Sequence, residues 1–419
     1  MLKTVKYYGD RIFKNIKTFL KWVCIAIITG VVVGMFSIMF AFCITWVTEF
    51  RGNHGYIKFL LPLAGCFIVF MYKLFKYSNN KGTNLVLSTI HSETKLPFKM
   101  APLIFVSTVI THMFGGSAGR EGAALQLGGS IGSRIATVFK MDEQDQHVVI
   151  MCGMSAAFSA LFGTPMAAAI FSMEVVSVGV MYYAALVPCV FSAIIASNFA
   201  STMGISPESF KIISIPDMNT ENIVKIIIIA MACAAISVLF CMMLHGIGDL
   251  YRKYFENQYI RIIVAGIIII GLTLLLGTDD YLGAGIPVIE RAINGKAAPF
   301  SFLIKMLFTA LTLEAGFKGG EIVPSFCIGA AFGCIAGHIL GISPSLCAAI
   351  GMTALFCGVT NCPITSLLIS FELFGYKGAA YFMIAVSVSY LLSGYYGLYH
   401  DQTIVYSKYK AMYVNKKTT

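Results

Sequence analysis

The chain has 419 residues, 58% hydrophobic and 12% charged, with a formal net charge of +10 and a mean hydropathy of +0.80. So few polar groups cannot cover a soluble globule of this size, so most of the chain must face lipid or other buried helices. The basic excess lies at the ends and in short loops, where it speaks to membrane topology and implies no nucleic-acid partner.

Residues 1–22 place Lys3, Lys6, Arg11, Lys14 and Lys17 among aromatics. That stretch is too long and too amphipathic for a signal peptide, and it predicts a retained helix on the cytoplasmic membrane surface. Apolar segments follow at 23–48, 57–72, 100–114, 123–138, 147–161 and 165–200, then at 223–243, 260–276, 300–313, 322–340, 346–359, 364–373 and 379–392. Several fall short of the about 20 residues a bilayer crossing takes, and Gly and Pro interrupt them. The pattern predicts an all-α integral membrane protein whose tilted and broken helices line a transport route. Strand-period alternation is absent, which disfavours a membrane barrel. The 12 cysteines lie mostly inside apolar segments without a C-x-x-C pair, so no disulfide framework, metal or cofactor is expected.

The stretch Gly115-Gly116-Ser117-Ala118-Gly119-Arg120-Glu121-Gly122-Ala123-Ala124 sets an Arg–Glu pair among small residues at membrane depth. Its glycines break any helix, and the apolar run from Ala123 predicts a helix that begins near Glu121. A helix N-terminus aimed inward carries unsatisfied N–H donors and a partial positive charge, which together form an anion site. Glu121 would occupy that site or gate it.

The chain also repeats. Gly153-Met154-Ser155-Ala156-Ala157-Phe158, with Pro165 and Glu174, returns 198 residues later as Gly351-Met352-Thr353-Ala354-Leu355-Phe356, with Pro363 and Glu372. Gly82, Gly128 and Gly132 return 201 residues later as Gly283, Gly329 and Gly333. The expected organisation is a surface helix at 1–22, membrane repeats at 23–200 and 222–400, a polar linker at 201–221 and a short cytoplasmic tail at 401–419. Basic residues at both ends, including Lys408, Lys410, Lys416 and Lys417, place both termini in the cytoplasm. Matched broken helices favour inverted repeats with the substrate site between them.

Together, Gly115–Ala124, Gly319-Gly320-Glu321-Ile322-Val323-Pro324, Gly283-Ala284-Gly285-Ile286-Pro287 and Gly397-Leu398-Tyr399 resemble the CLC family of chloride channels and anion/proton antiporters over nearly the whole chain. The resemblance implies a homodimer in the lipid bilayer, each subunit an inverted repeat whose helix N-termini converge on a dehydrated anion. It implies that Glu121 is the gating glutamate, that Tyr399 closes the inner end of the site, and that Gly119, Arg120, Gly122 and Ile322 belong to the anion-binding segments. With about twenty mostly polar residues after Tyr399, the family's C-terminal regulatory domains are not expected.

Three departures are informative. Chloride-selective members look like Gly-Ser-Gly-Ile-Pro where this chain has Gly82-Thr83-Asn84-Leu85-Val86; Glu321 follows Gly320 where an apolar residue is usual; and Val175 stands where chloride/proton antiporters tend to carry a glutamate. The set looks like the branch that exports fluoride against protons. Fluoride holds its water more tightly than chloride, so a site must replace that water with close, strong donors, and Thr83 and Asn84 are candidates. Fluoride is also the base of a weak acid, so a protonated carboxyl can donate a short hydrogen bond to it. Glu121 as gate and proton carrier, and Glu321 as a second, coupling carboxylate, suit that chemistry.

Simpler roles stand beside these. Lys318 is placed to neutralise Glu321, Thr83 and Asn84 are common N-caps, and Glu174 and Glu372, at matching helix ends, read as structural. His112 reads as hydrogen-bonded between helices. Alternatives in function are a chloride channel or chloride/proton antiporter of the same fold, a membrane-embedded enzyme, and a non-transporting scaffold. The enzyme lacks a Gly-x-Ser-x-Gly elbow and a His-Glu-x-x-His set. Ile- and Lys-rich composition suits a bacterium.

Overall fold

The computed structural model describes residues 2–77, 82–91 and 96–419, with backbone alone for residues 2–5 and 91; Met1 and the Lys3 side chain lie outside the described residues. Among these, sixteen α-helices form two series of eight in the same order. The first is α1 (Leu2–Asn53), α2 (Leu61–Leu74), α3 (Thr83–His91), α4 (Met100–Met113), α5 (Glu121–Val138), α6 (Glu143–Phe162), α7 (Pro165–Glu174) and α8 (Leu186–Thr202). The second is α9 (Thr220–Tyr254), α10 (Gln258–Leu276), α11 (Ile286–Ile293), α12 (Ser301–Ala315), α13 (Ile322–Leu340), α14 (Pro344–Thr360), α15 (Pro363–Phe374) and α16 (Ala379–Leu392). Among the described residues, seven helical segments are long and apolar enough to cross a membrane, whereas α4, α14 and α15 are apolar but shorter.

Local chemistry sets the breaks. Asp142 caps α6 by accepting from the Asp145 N–H at 2.8 Å, Gly163 ends that helix at φ +68°, and Pro165 opens α7. Asn219 caps α9 in the same way, accepting from the Asn222 N–H at 2.8 Å. The polar linker is pinned across helix ends, with the Glu208 N–H on the Phe162 carbonyl at 2.9 Å and the Phe210 N–H on the Leu373 carbonyl at 2.8 Å.

Helices α5 and α6 approach through glycine. A Cβ on Gly128 would overlap the Gly153 carbonyl, and one on Gly329 would overlap the Gly351 carbonyl where α13 meets α14. Small residues let backbones pack closely where lipid supplies no hydrophobic drive between helices. The same seam recurs in both series because the same glycines recur.

Two expectations need correction. No break separates a surface helix at 1–22 from the first span: α1 is continuous, and its 52 residues span about 78 Å, far beyond the about 30 Å of hydrocarbon. No Gly or Pro stands near Trp22 to interrupt it. The tail is also more than a polar end. Strands β2 (Thr403–Tyr406) and β3 (Tyr413–Lys417) pair antiparallel, and β2 pairs in parallel with β1 (Ser177–Val178). Gln402 fixes this sheet, its amide nitrogen donating to the carbonyls of Val175 at 2.9 Å and Thr360 at 2.8 Å.

Helices α7 and α15 run antiparallel and cap each other. The buried Glu174 carboxylate, at the end of α7, accepts from the Ile364 N–H at 3.0 Å, the Thr365 N–H at 2.8 Å and the Thr365 hydroxyl at 2.6 Å, at the start of α15. Glu372, at the end of α15, accepts from the Met166 and Ala167 N–H groups of α7, both at 2.9 Å. Each negative charge answers the positive end of its neighbour's dipole. Both glutamates are therefore engaged in structure. Glu174→Ala strands two helix N–H groups in a buried site and should lower stability by about 2–4 kcal/mol. Thermal unfolding in detergent reads this, and an unchanged midpoint would contradict the cap.

Candidate anion site

The loops before α5 and α13 meet as a two-residue antiparallel bridge. The Gly119 N–H donates to the Gly320 carbonyl at 2.7 Å, and the Gly320 N–H donates back to the Gly119 carbonyl at 2.8 Å. No side chain fits there: a Cβ on Gly319 would overlap Ala118, and one on Gly320 would stand 2.5 Å from the Gly122 nitrogen. The bridge brings two helix N-termini together inside the protein, so two partial positive charges face one small space.

Glu121 opens α5, as its surroundings predict, and is 1% exposed. Its carboxylate folds back to accept from the Arg120 N–H at 2.9 Å, while the Arg120 guanidinium stands 3.8 Å from the other oxygen. The guanidinium makes shorter contacts elsewhere, to Glu208 at 3.1 Å and the Leu161 carbonyl at 3.3 Å. The Glu121 carboxylate thus sits on the helix N-terminus as an anion would.

Thr83 opens α3 and is buried, its hydroxyl 3.4 Å from the Gly122 carbonyl and 3.5 Å from the Gln126 amide nitrogen. A Cβ placed on Gly122 would meet Thr83 Oγ1 at 3.1 Å, Glu321 Oε2 at 3.2 Å and Gly320 Cα at 3.0 Å, so these groups surround one small volume. Ile322, the first residue of α13, is fully buried beside it. Tyr399 is 1% exposed and its backbone carbonyl accepts from the Thr418 hydroxyl at 2.6 Å. Glu121 Oε1, Glu321 Oε2, Gln126 Oε1 and Tyr399 Oη are all buried and have no hydrogen-bond partner among the described residues. Orphaned polar atoms at this density are rare in cores and mark a place where a ligand, ion or water completes the set.

A vestibule of about 630 Å³ opens toward this volume from the face that carries the α9–α10 turn. Thr83, Asn84, Glu314, Lys318, Glu321 and Asp401 stand on its wall.

Contacts at four positions bear on the sequence reading. The Gly119 N–H is spent on the bridge, so Gly119 joins the loops instead of offering a donor to an anion. The Asn84 carbonyl oxygen accepts from the Asp401 N–H at 3.0 Å, so the side chain ties α3 to the segment after Tyr399. His112 bonds within its own helix, to the Thr108 carbonyl at 2.9 Å, and not between helices. The Lys318 ammonium lies over the Tyr72 ring, 4.7 Å from its centroid, and makes no ion pair with Glu321 among the described residues. Gln126, four residues after Gly122 on the same face of α5, was not singled out by sequence; only its helical spacing from Gly122 signalled it.

Paired loops that aim two helix N-termini at a buried acidic pocket define a membrane protein that handles anions. The family model for voltage gated chloride channels matches residues 64–394, and the chain belongs to that family. It is 34% identical to a chloride/fluoride channel protein of Pseudomonas syringae pv. tomato, covering 93% of this chain and 88% of the relative. Its fold superposes on the crystal structure of a CLC-type fluoride/proton antiporter with a TM-score of 0.88, at 30% identity over 91% of this chain and 98% of the other. A slow cyanobacterial Cl-/H+ antiporter shares the fold at TM-score 0.72 and 18% identity, over 89% and 94% of the two chains. The fold is the all-α, inverted-repeat CLC fold.

Gly122→Ala tests the small volume. The added methyl overpacks Thr83, Glu321 and Gly320 at an expected cost of about 1–3 kcal/mol that falls on the site itself. Anion flux should fall about ten-fold or more with the thermal midpoint nearly kept. Unchanged flux would place the pathway elsewhere.

Proposed function

We propose that the protein exchanges fluoride for protons across the cell membrane of a bacterium and exports fluoride from the cell. The observation that carries this reading is the cluster of unpartnered buried groups, Glu121 Oε1, Glu321 Oε2 and Tyr399 Oη, at the joined N-termini of α5 and α13. Similarity to the chloride/fluoride channel protein and to the fluoride/proton antiporter supports it.

Glu121 competes with the anion. Ionised, it occupies the α5 N-terminus; protonated, it loses the charge that holds it there and yields the place to fluoride. Its proton then has a short route to the ion, since HF is a weak acid and a carboxyl O–H donates strongly to fluoride. Thr83 Oγ1 and the N–H groups of Gly122 and Ile322 supply donors in place of water. Glu321 faces the same volume from the other series and takes the proton onward, while Tyr399 closes the path at its inner end. Val175 itself has no titratable side chain for this step, and the neighbouring Glu174 carboxylate is engaged at the start of α15. The working unit is a homodimer in the bilayer with both termini cytoplasmic, in keeping with the basic ends and the family resemblance. On that orientation the vestibule is the cytoplasmic entrance.

A chloride channel or chloride/proton antiporter is the second reading, since relatives with chloride in their names share the fold. Liposomes loaded with fluoride or chloride, read with an ion electrode and an internal pH dye, separate the two. Fluoride efflux should far exceed chloride efflux and move protons the opposite way. Glu121→Gln should abolish coupled exchange, and Glu321→Gln should uncouple fluoride from protons or stop both. Comparable chloride efflux, or intact coupling in Glu321→Gln, would contradict the proposal.

A further inference from the structure

Lys305 is a fully buried lysine on α12, outside the groups discussed so far. Its ammonium donates to Ser117 Oγ at 2.9 Å, the Tyr281 carbonyl at 3.1 Å and the Gly283 carbonyl at 2.6 Å. Three N–H donors meet three neutral acceptors, so its hydrogen bonds are complete and its charge is not answered. No carboxylate pairs with it among the described residues. A cation at membrane depth without an acidic partner is costly unless something negative lies within its field.

The surrounding contacts say what that is. Lys305, Thr309 and Thr312 stand on one face of α12 at helical spacing, and all three touch Ser117: Thr309 Oγ1 lies 3.2 Å from Ser117 Oγ, and Thr312 Oγ1 accepts from the Ser117 N–H at 3.1 Å. Ser117 sits two residues before the bridging Gly119 and four before Glu121, in the loop that builds the anion site. In the first helix series, Thr111 Oγ1 accepts from the Lys318 N–H at 3.2 Å, the counterpart of the Thr312–Ser117 bond. Yet the counterpart of Lys305, 201 residues earlier, is Ile104, also buried. The fold therefore accepts an aliphatic residue at this place, and the charge answers another need.

We propose that Lys305 is a fixed internal cation of the anion pathway, a positioning residue whose charge, unlike that of the Glu208-paired Arg120, has no carboxylate partner among the described residues and draws fluoride to the Glu121 site from outside the vestibule. Ile104 lines the vestibule, whose wall carries Arg252, Arg261 and Lys318 together with Glu256, Glu314, Glu321 and Asp401, whereas Lys305 is not on that wall and bonds the loop before α5 through Ser117. Lys305 thus adds positive charge to the site from outside that mixed-charge cavity. The three neutral acceptors hold the ammonium in place without cancelling it, and the anion is its counter-charge.

The test rests on the anion-transport function above and uses full-length protein in liposomes with internal fluoride varied. Lys305→Gln keeps hydrogen-bond donors and removes the charge, and should raise the KM for fluoride about ten-fold with a smaller change in maximal rate. Lys305→Arg, which restores charge, and Ser117→Ala, which removes one acceptor and leaves the charge, should both stay near the wild-type KM. Wild-type KM in well-folded Lys305→Gln, or a KM raised as much in Ser117→Ala, would overturn the charge role and leave only a structural one. If Lys305→Gln does not fold, the Arg and Ser117→Ala variants still decide, since a hydrogen-bonding role requires both to be impaired. Wild-type liposomes that move no fluoride would instead overturn the transport function itself.

Discussion

The reciprocal hydrogen bonds between Gly119 and Gly320 are the constraint on which the rest depends. They force the N-termini of α5 and α13 to face one another in the interior, where two partial positive charges repel and four or more N–H groups lack helical partners. That arrangement is stable only with negative charge between the ends. In this structure the Glu121 carboxylate supplies it. A site that must be filled by an anion, and whose resident anion is a side chain that protons can neutralise, already contains the elements of anion/proton exchange.

Two kinds of glutamate show how position decides role. Glu174 and Glu372, at the ends of α7 and α15, also place their carboxylates on helix N-termini, but each has every oxygen bonded to N–H or O–H groups of the opposite series, and they lock α7 to α15. Glu121 and Glu321 each keep one buried oxygen without a hydrogen-bond partner among the described residues. The first pair is spent on stability; the second retains capacity to bind a proton or face an ion. The tail adds to this division, because Gln402 and Thr418 hold the segment around Tyr399 from behind and leave its hydroxyl unengaged.

Much of this was legible in the chain. Glycines around Arg120-Glu121 located the start of α5, and matching Gly and Glu positions 198 and 201 residues apart announced two series of helices. Those signals are local or periodic, and local chemistry enforces them. What escaped depends on contacts between distant segments. The Gly119–Gly320 bridge, the Asn84–Asp401 bond and the three acceptors of Lys305 join residues far apart in sequence, and no spacing rule predicts them. The unbroken α1 and the tail sheet were missed for another reason: basic and aromatic residues fit a surface helix or a helix extension equally well, and short polar strands form only because β1 offers an edge.

The central claim is that proton movement and fluoride movement are coupled in opposite directions. The direct test is a proton gradient imposed on proteoliposomes that hold equal fluoride inside and out, acid outside, with the potential clamped at zero by potassium and valinomycin. Coupled exchange drives protons in and fluoride out, so internal fluoride should fall below the external level. Passive HF entry works the other way and raises internal fluoride in protein-free vesicles. Internal fluoride that stays equal, or rises as it does without protein, would contradict the account.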